Sequence, residues 1–119
     1  MTPPLDPLDF LAVAREVASG GTDAHLRTAI GRAYYCCFLI ARDRAGVTGT
    51  KDVHKRVITA VRGLPGYWAV ADELDSLRKL RVTADYQLLP MIPGSRNWRR
   101  NWARAERIVN DILPLLRSI

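Results

Sequence analysis

The stretch Leu74–Leu88, LDSLRKLRVTADYQL, decides how the chain folds. Read at helical spacing, and extended back by one step, one face carries Val70, Leu74, Leu77, Arg81, Ala84 and Leu88. Apolar residues recurring every three or four positions define the buried stripe of an amphipathic helix. Arg81 stands in the middle of that stripe, and its guanidinium is charged at any ordinary pH. On a core-facing row such a group must be paired or face a cavity, because a buried, unpaired charge costs several kcal/mol. Asp85, four residues on, is its neighbour on the helix surface, and Tyr86 follows. The spacing therefore predicts a helix from Trp68 to Leu88 with a polar cluster set into its packing face.

Outward from this helix the pattern stays helical. Asp6–Pro7 is a helix start, with a capping residue followed by proline at the first helical position, and Gly20–Gly21 is the stop. The apolar face of this first helix is read as Phe10, Val13, Ala14 and Val17. Thr22 or Asp23 caps a second helix that runs to about Arg44, ahead of Gly46. From Ala33 to Ala41, AYYCCFLIA, it carries no charge, so it is predicted to be the central helix, covered on more than one side. Arg32 shares a face there with Ala29, Tyr35, Cys36 and Leu39. A short third helix spans about Asp52 to Arg62 and faces inward through Val57, Ile58 and Val61. Ser95 is the expected cap of a last helix whose stripe is Trp98, Trp102, Ala105, Val109, Ile112, Leu116 and Ile119, with Pro114 off that stripe. No strand pattern, internal repeat or low-complexity segment is found. The expectation is one all-α domain over residues 1–119, an up-and-down bundle of four long helices and one short one.

Composition narrows the classes. The 119 residues are 48% apolar and 25% charged, which suits one globular domain with a real core. No run approaches the ~18 apolar residues of a membrane span, and MTPPLDPLDF has no positive charge ahead of its apolar residues, so a membrane or secretory role is not expected. Cys36 and Cys37 are adjacent, with Cα atoms ~3.8 Å apart, too close for ordinary disulfide geometry. They read as reduced packing residues of a cytoplasmic protein, and no metal-ligand spacing or cofactor motif is present. The net charge of +6 is uneven. Residues 1–23 hold Arg15 against Asp6, Asp9, Glu16 and Asp23, a balance of −3, whereas 93–119 hold six arginines against Glu106 and Asp111, a balance of +4. Such asymmetry permits an anionic partner.

Two segments carry a resemblance: TAIGRAYYCCFLIAR, Thr28–Arg42, and LRKLRVTADYQL, Leu77–Leu88, with His54–Lys55 between them. Together they resemble the HEPN domain (higher eukaryotes and prokaryotes nucleotide-binding), and within it small prokaryotic proteins with S-R-x-Y-Y and R-x-x-A-D-Y patterns. The resemblance implies a helical bundle that dimerises, binds a nucleotide or RNA, and belongs to a toxin–antitoxin pair or partners a small nucleotidyltransferase. Many members are metal-independent ribonucleases that use an arginine and, four to six residues later, a histidine. Arg81 matches that arginine, but Tyr86 stands where a histidine is expected, and none follows His54. The residues thus favour a binding module whose cleft is shaped by Arg32, Tyr35, Arg78, Arg81, Asp85 and Tyr86. The alternative is a ribonuclease with Arg81 as electrostatic stabiliser and Tyr86 or His54 moving the proton.

Overall fold

A computed structural model of the chain describes residues 5–86 and 97–119. Five helices make up its regular structure: α1 Leu8–Ala18, α2 Asp23–Arg44, α3 Val53–Arg62, α4 Trp68–Tyr86 and α5 Trp98–Arg117. No strand occurs among the described residues. α2, α4 and α5 have 22, 19 and 20 residues, whereas α1 and α3 have 11 and 10 and are the short elements.

α2 packs against all four other helices. Its uncharged run makes this possible, because Leu26, Ala29, Ile30, Ala33, Tyr34, Cys36, Cys37, Phe38, Ile40 and Ala41 are all buried and lie around its circumference. The two cysteines are free and fully enclosed. Thr22 caps the helix by accepting a hydrogen bond from His25 N at 3.2 Å, and Gly21 turns the chain into it at a φ of +77° that disfavours any residue with a Cβ.

The ends and faces of the other helices refine the sequence reading. Asp6 Oδ1 accepts from Leu8 N at 3.0 Å, and helix α1 begins at Leu8 with Pro7 just outside it. Its buried residues are Leu11 and Ala14, with Phe10 and Ala18 packed alongside, while Val13 is 42% exposed. The face is therefore rotated from the expected one, because Leu11 is larger than Val13 and takes the inward register. α4 buries Val70, Leu74, Leu77 and Ala84, as its stripe predicts, and Ala71 beside them. Leu88 and the expected cap Ser95 lie outside the described residues. At α5 the cap is Asn97, whose side chain accepts from Arg100 N at 3.0 Å. Trp98 is buried, Trp102 half-buried, and Arg99, Arg100 and Arg104 point outward. Pro114 sits inside α5 on its exposed side. The bundle holds α2, α3 and α4 together around one aromatic cluster, and the candidate site forms there.

Candidate functional site

Tyr34 on α2 projects through the core toward α3, where its hydroxyl meets His54 Nδ1 at 2.5 Å. The histidine ring stacks on Phe38 with centroids 4.2 Å apart, lies 5.6 Å from the Tyr34 ring, and meets Tyr35 edge-on at 6.3 Å. His54 is placed there because it is the second residue of α3, two positions past the N-cap Asp52. Asp52 has φ +52° and is the only described non-glycine residue in the left-handed region. Aspartate tolerates that conformation better than most residues, and strained backbone of this kind collects at functional sites.

From the other side α4 brings two arginines. The Arg81 guanidinium lies 6.0 Å from the Tyr34 ring centre and 5.6 Å from that of Tyr35, within cation–π range. Its side chain is 19% exposed, and its Nε lies 3.0 Å from Asp85 Oδ2 as an i, i+4 ion pair. The N–H is not aimed at that oxygen, so Nε is shielded from solvent and makes no hydrogen bond among the described residues. Arg78, one turn earlier, binds Asp75 through both Nε and Nη2 at 3.0 Å, and Lys79 Nζ adds a contact to the same carboxylate at 3.2 Å.

These neighbours set the protonation states. Burial, then the positive charges of Arg81 and Arg78, lower the His54 pKa from its ordinary value of 6.5, so the imidazole is neutral at pH 7. Burial pushes the Tyr34 hydroxyl well above its ordinary range, against the pull of the same two arginines, and it stays protonated. Burial also raises the Asp75 carboxyl, but hydrogen bonds from Arg78 and Lys79 outweigh this and the net direction is down. The result is a neutral Tyr–His pair under two fixed positive charges.

His54 and Arg78 open onto a cleft of about 620 Å³ between α3 and α4. Lys55 and Arg62 also line it, with Asp52 and Asp75 as the acidic members. Lys55, Arg62 and Arg78 stand against those two carboxylates, so the lining carries a net positive charge. An anionic group entering the cleft would meet guanidinium and ammonium donors and a neutral imidazole, the set that suits a phosphate.

Among the residues singled out from sequence, the fold gathers His54, Tyr35, Arg78, Arg81 and Asp85 around this cluster. Arg32 is elsewhere: it is exposed and lies over Phe10 of α1, 5.9 Å from the ring centre. Tyr86 is 73% exposed, and no hydrogen bond to the cluster is found for it among the described residues. Tyr34 lies in the uncharged run expected to be covered on more than one side; what the sequence did not give is that His54 is the partner of its hydroxyl. The available signal was the charge-free run around Tyr34 and Phe38, which leaves a buried hydroxyl that must find a partner on another helix. Among the described residues no group of three or more His, Cys, Asp or Glu side chains is placed to hold a metal ion, and no helix is long and apolar enough to cross a membrane. No family model, no curated protein and no solved structure matches the chain.

Proposed function

We propose that this chain is a HEPN-type helical module that binds RNA or a nucleotide through its phosphate in the α3–α4 cleft. The observation that carries this reading is the pairing of Arg78 with a neutral, half-buried His54 on the wall of a basic cleft, with Arg81 fixed behind them. Arg78 retains donors beyond those spent on Asp75, and a guanidinium fork matches phosphate oxygens. The sequence resemblance adds a two-fold dimer and a toxin–antitoxin or nucleotidyltransferase partner to the proposal, and a chromatographic mass at micromolar concentration tests the dimer.

The test is fluorescence anisotropy with a labelled 12-nucleotide single-stranded RNA in 50 mM salt. Wild type is expected to bind and Arg78→Ala to bind at least about tenfold more weakly, the scale of one charge-assisted hydrogen bond. Equal binding by Arg78→Ala, with an unchanged circular dichroism spectrum, refutes the assignment.

A second reading, a metal-independent ribonuclease, is favoured by one specific feature. In the tautomer where Nδ1–H donates to Tyr34, His54 Nε2 is left with a lone pair able to take a proton from a ribose 2′-hydroxyl. The 2′-oxygen would then attack phosphorus, and the 5′-oxygen would leave with a proton from solvent. Arg78 and Arg81 would stabilise the charge on the phosphoryl oxygens. Cleavage in EDTA that is lost in His54→Gln and kept in Tyr86→Phe supports this chemistry; no cleavage by wild type leaves the module as a binder.

A further inference from the structure

Trp68 is 64% exposed, the largest side chain among the exposed hydrophobics of the described residues. It is the first residue of α4, and the chain beside it is anchored, because the Tyr67 hydroxyl donates to Leu115 O of α5 at 2.9 Å. One side of its indole is occupied: the Arg62 guanidinium lies over the ring at 5.4 Å from the centre. Arg62 is held in turn by Asp72, with Nη2 to Oδ1 at 2.7 Å. Arg62 also lines the His54 cleft. The tryptophan therefore stands at the Arg62 end of the cleft, a fixed aromatic plate backed by a cation, with much of its surface open to solvent.

Burial does not explain such a ring. An indole packed for stability would be enclosed, as Trp98 is at 6% exposure under Arg27. A plate of this kind suits a nucleobase, since every base has a π-face and base–aromatic stacking is indifferent to sequence. Trp68 and Arg78 are ten positions apart on one helix, which sets them about 15 Å apart along its axis. A strand crossing from one to the other runs along the basic wall that Lys55 and Arg62 present.

We propose that the cleft takes single-stranded RNA as an extended strand, with a phosphate at Arg78 and His54 and a base stacked on Trp68. This rests on the reading of the cleft as a phosphate site and names its ligand: an unpaired strand rather than a duplex, whose bases are already stacked on one another. Stacking and phosphate contact leave different traces. Binding of single strands weakens with salt, with a slope of about −0.7 for each phosphate neutralised, whereas stacking carries no such dependence.

The experiment measures the affinity of a fluorescein-labelled 12-nucleotide oligo(U) and of a 12-base-pair RNA duplex at several salt concentrations. It uses wild type, Trp68→Ala, Trp68→Phe and Arg78→Ala, with melting curves on each. Trp68→Ala is expected to bind the single strand about 5- to 100-fold more weakly at every salt concentration, with an unchanged salt slope. Trp68→Phe keeps a π-face and is expected to recover most of the affinity. Arg78→Ala is expected to lower the slope by about 0.7. If Arg78→Ala is deficient and Trp68→Ala binds like wild type, the cleft holds phosphate but the tryptophan platform is refuted. If neither variant differs from wild type, or wild type binds no RNA, both readings fall. A duplex bound as tightly as the single strand, or a loss in Trp68→Ala that tracks a change in oligomeric state, also overturns the platform.

Discussion

Tyr34→Phe removes one oxygen atom and nothing else, which makes it the cleanest probe of the α2–α3 junction. The phenyl ring keeps its contacts with Phe38 and Tyr35, so no cavity opens. What is lost is the 2.5 Å bond to His54 Nδ1. A neutral hydrogen bond contributes about 0.5–1.5 kcal/mol net, and leaving a buried partner unpaired costs about 1–3 kcal/mol. His54 is half-buried beside the cleft, where water can partly replace the hydroxyl, so the expected loss is about 1–2 kcal/mol. For a domain of this size that is a fall in Tm of about 4–8 °C. Thermal and urea melts of wild type, Tyr34→Phe, His54→Ala and the double variant measure it. The cycle should give a coupling of about 1 kcal/mol, because Tyr34→Phe costs little once His54 has gone. A Tyr34→Phe protein melting within about 1 °C of wild type, or a coupling near zero, would show that the pair does not join the two helices.

Other perturbations separate the parts of the site. His54 has a lowered folded pKa, so below its ordinary value of 6.5 the unfolded chain binds the proton more readily than the folded one. Its contribution to stability is therefore complete above about pH 6.5 and is lost as the pH falls, until the folded imidazole itself titrates. Urea melts between pH 5 and 7.5 should show that slope, flattened in His54→Gln. Arg81→Met keeps most of the packing but removes one of the charges that depress His54, so NMR titration should find the His54 pKa higher than in wild type. Gly31 lies inside α2, where an added Cβ would meet only Asp85 Oδ1 at 3.8 Å, so Gly31→Ala should stabilise by about 0.5–1 kcal/mol. A lower melting temperature in that variant would mean that α2 and α4 approach more closely than this. Leu74→Ala empties a fully enclosed position and should cost about 2–5 kcal/mol in a urea melt.

The parts of this molecule that were legible in its sequence are those set by period and punctuation. The stripe of α4 was readable because Val70, Leu74, Leu77 and Ala84 recur at helical spacing, and the centrality of α2 because no charge interrupts residues 33–41. Arg81 announced itself as a charge on a packing row, and the fold places it largely out of solvent. Rotational register was legible only where one side of a helix is polar. α1 alternates small and large apolar residues around much of its surface, so Leu11 and Val13 competed for the inward position, and only the packed surface of α2 decides between them. The site was harder still. Its central bond joins residues 20 positions apart on helices whose relative rotation no periodicity records. Proximity in sequence favoured Tyr86 as the companion of Arg81, yet the Tyr86 ring stands in solvent, while His54 arrives from α3. A histidine alone near a helix start gives no sign of this. Its partner does: a tyrosine inside a run buried all round has a hydroxyl that must be met, and the polar groups able to reach it across the core are few. Of the chain's two histidines, His25 sits at the start of α2 itself and is spent on Thr22, which leaves His54 as the ring that closes the pair.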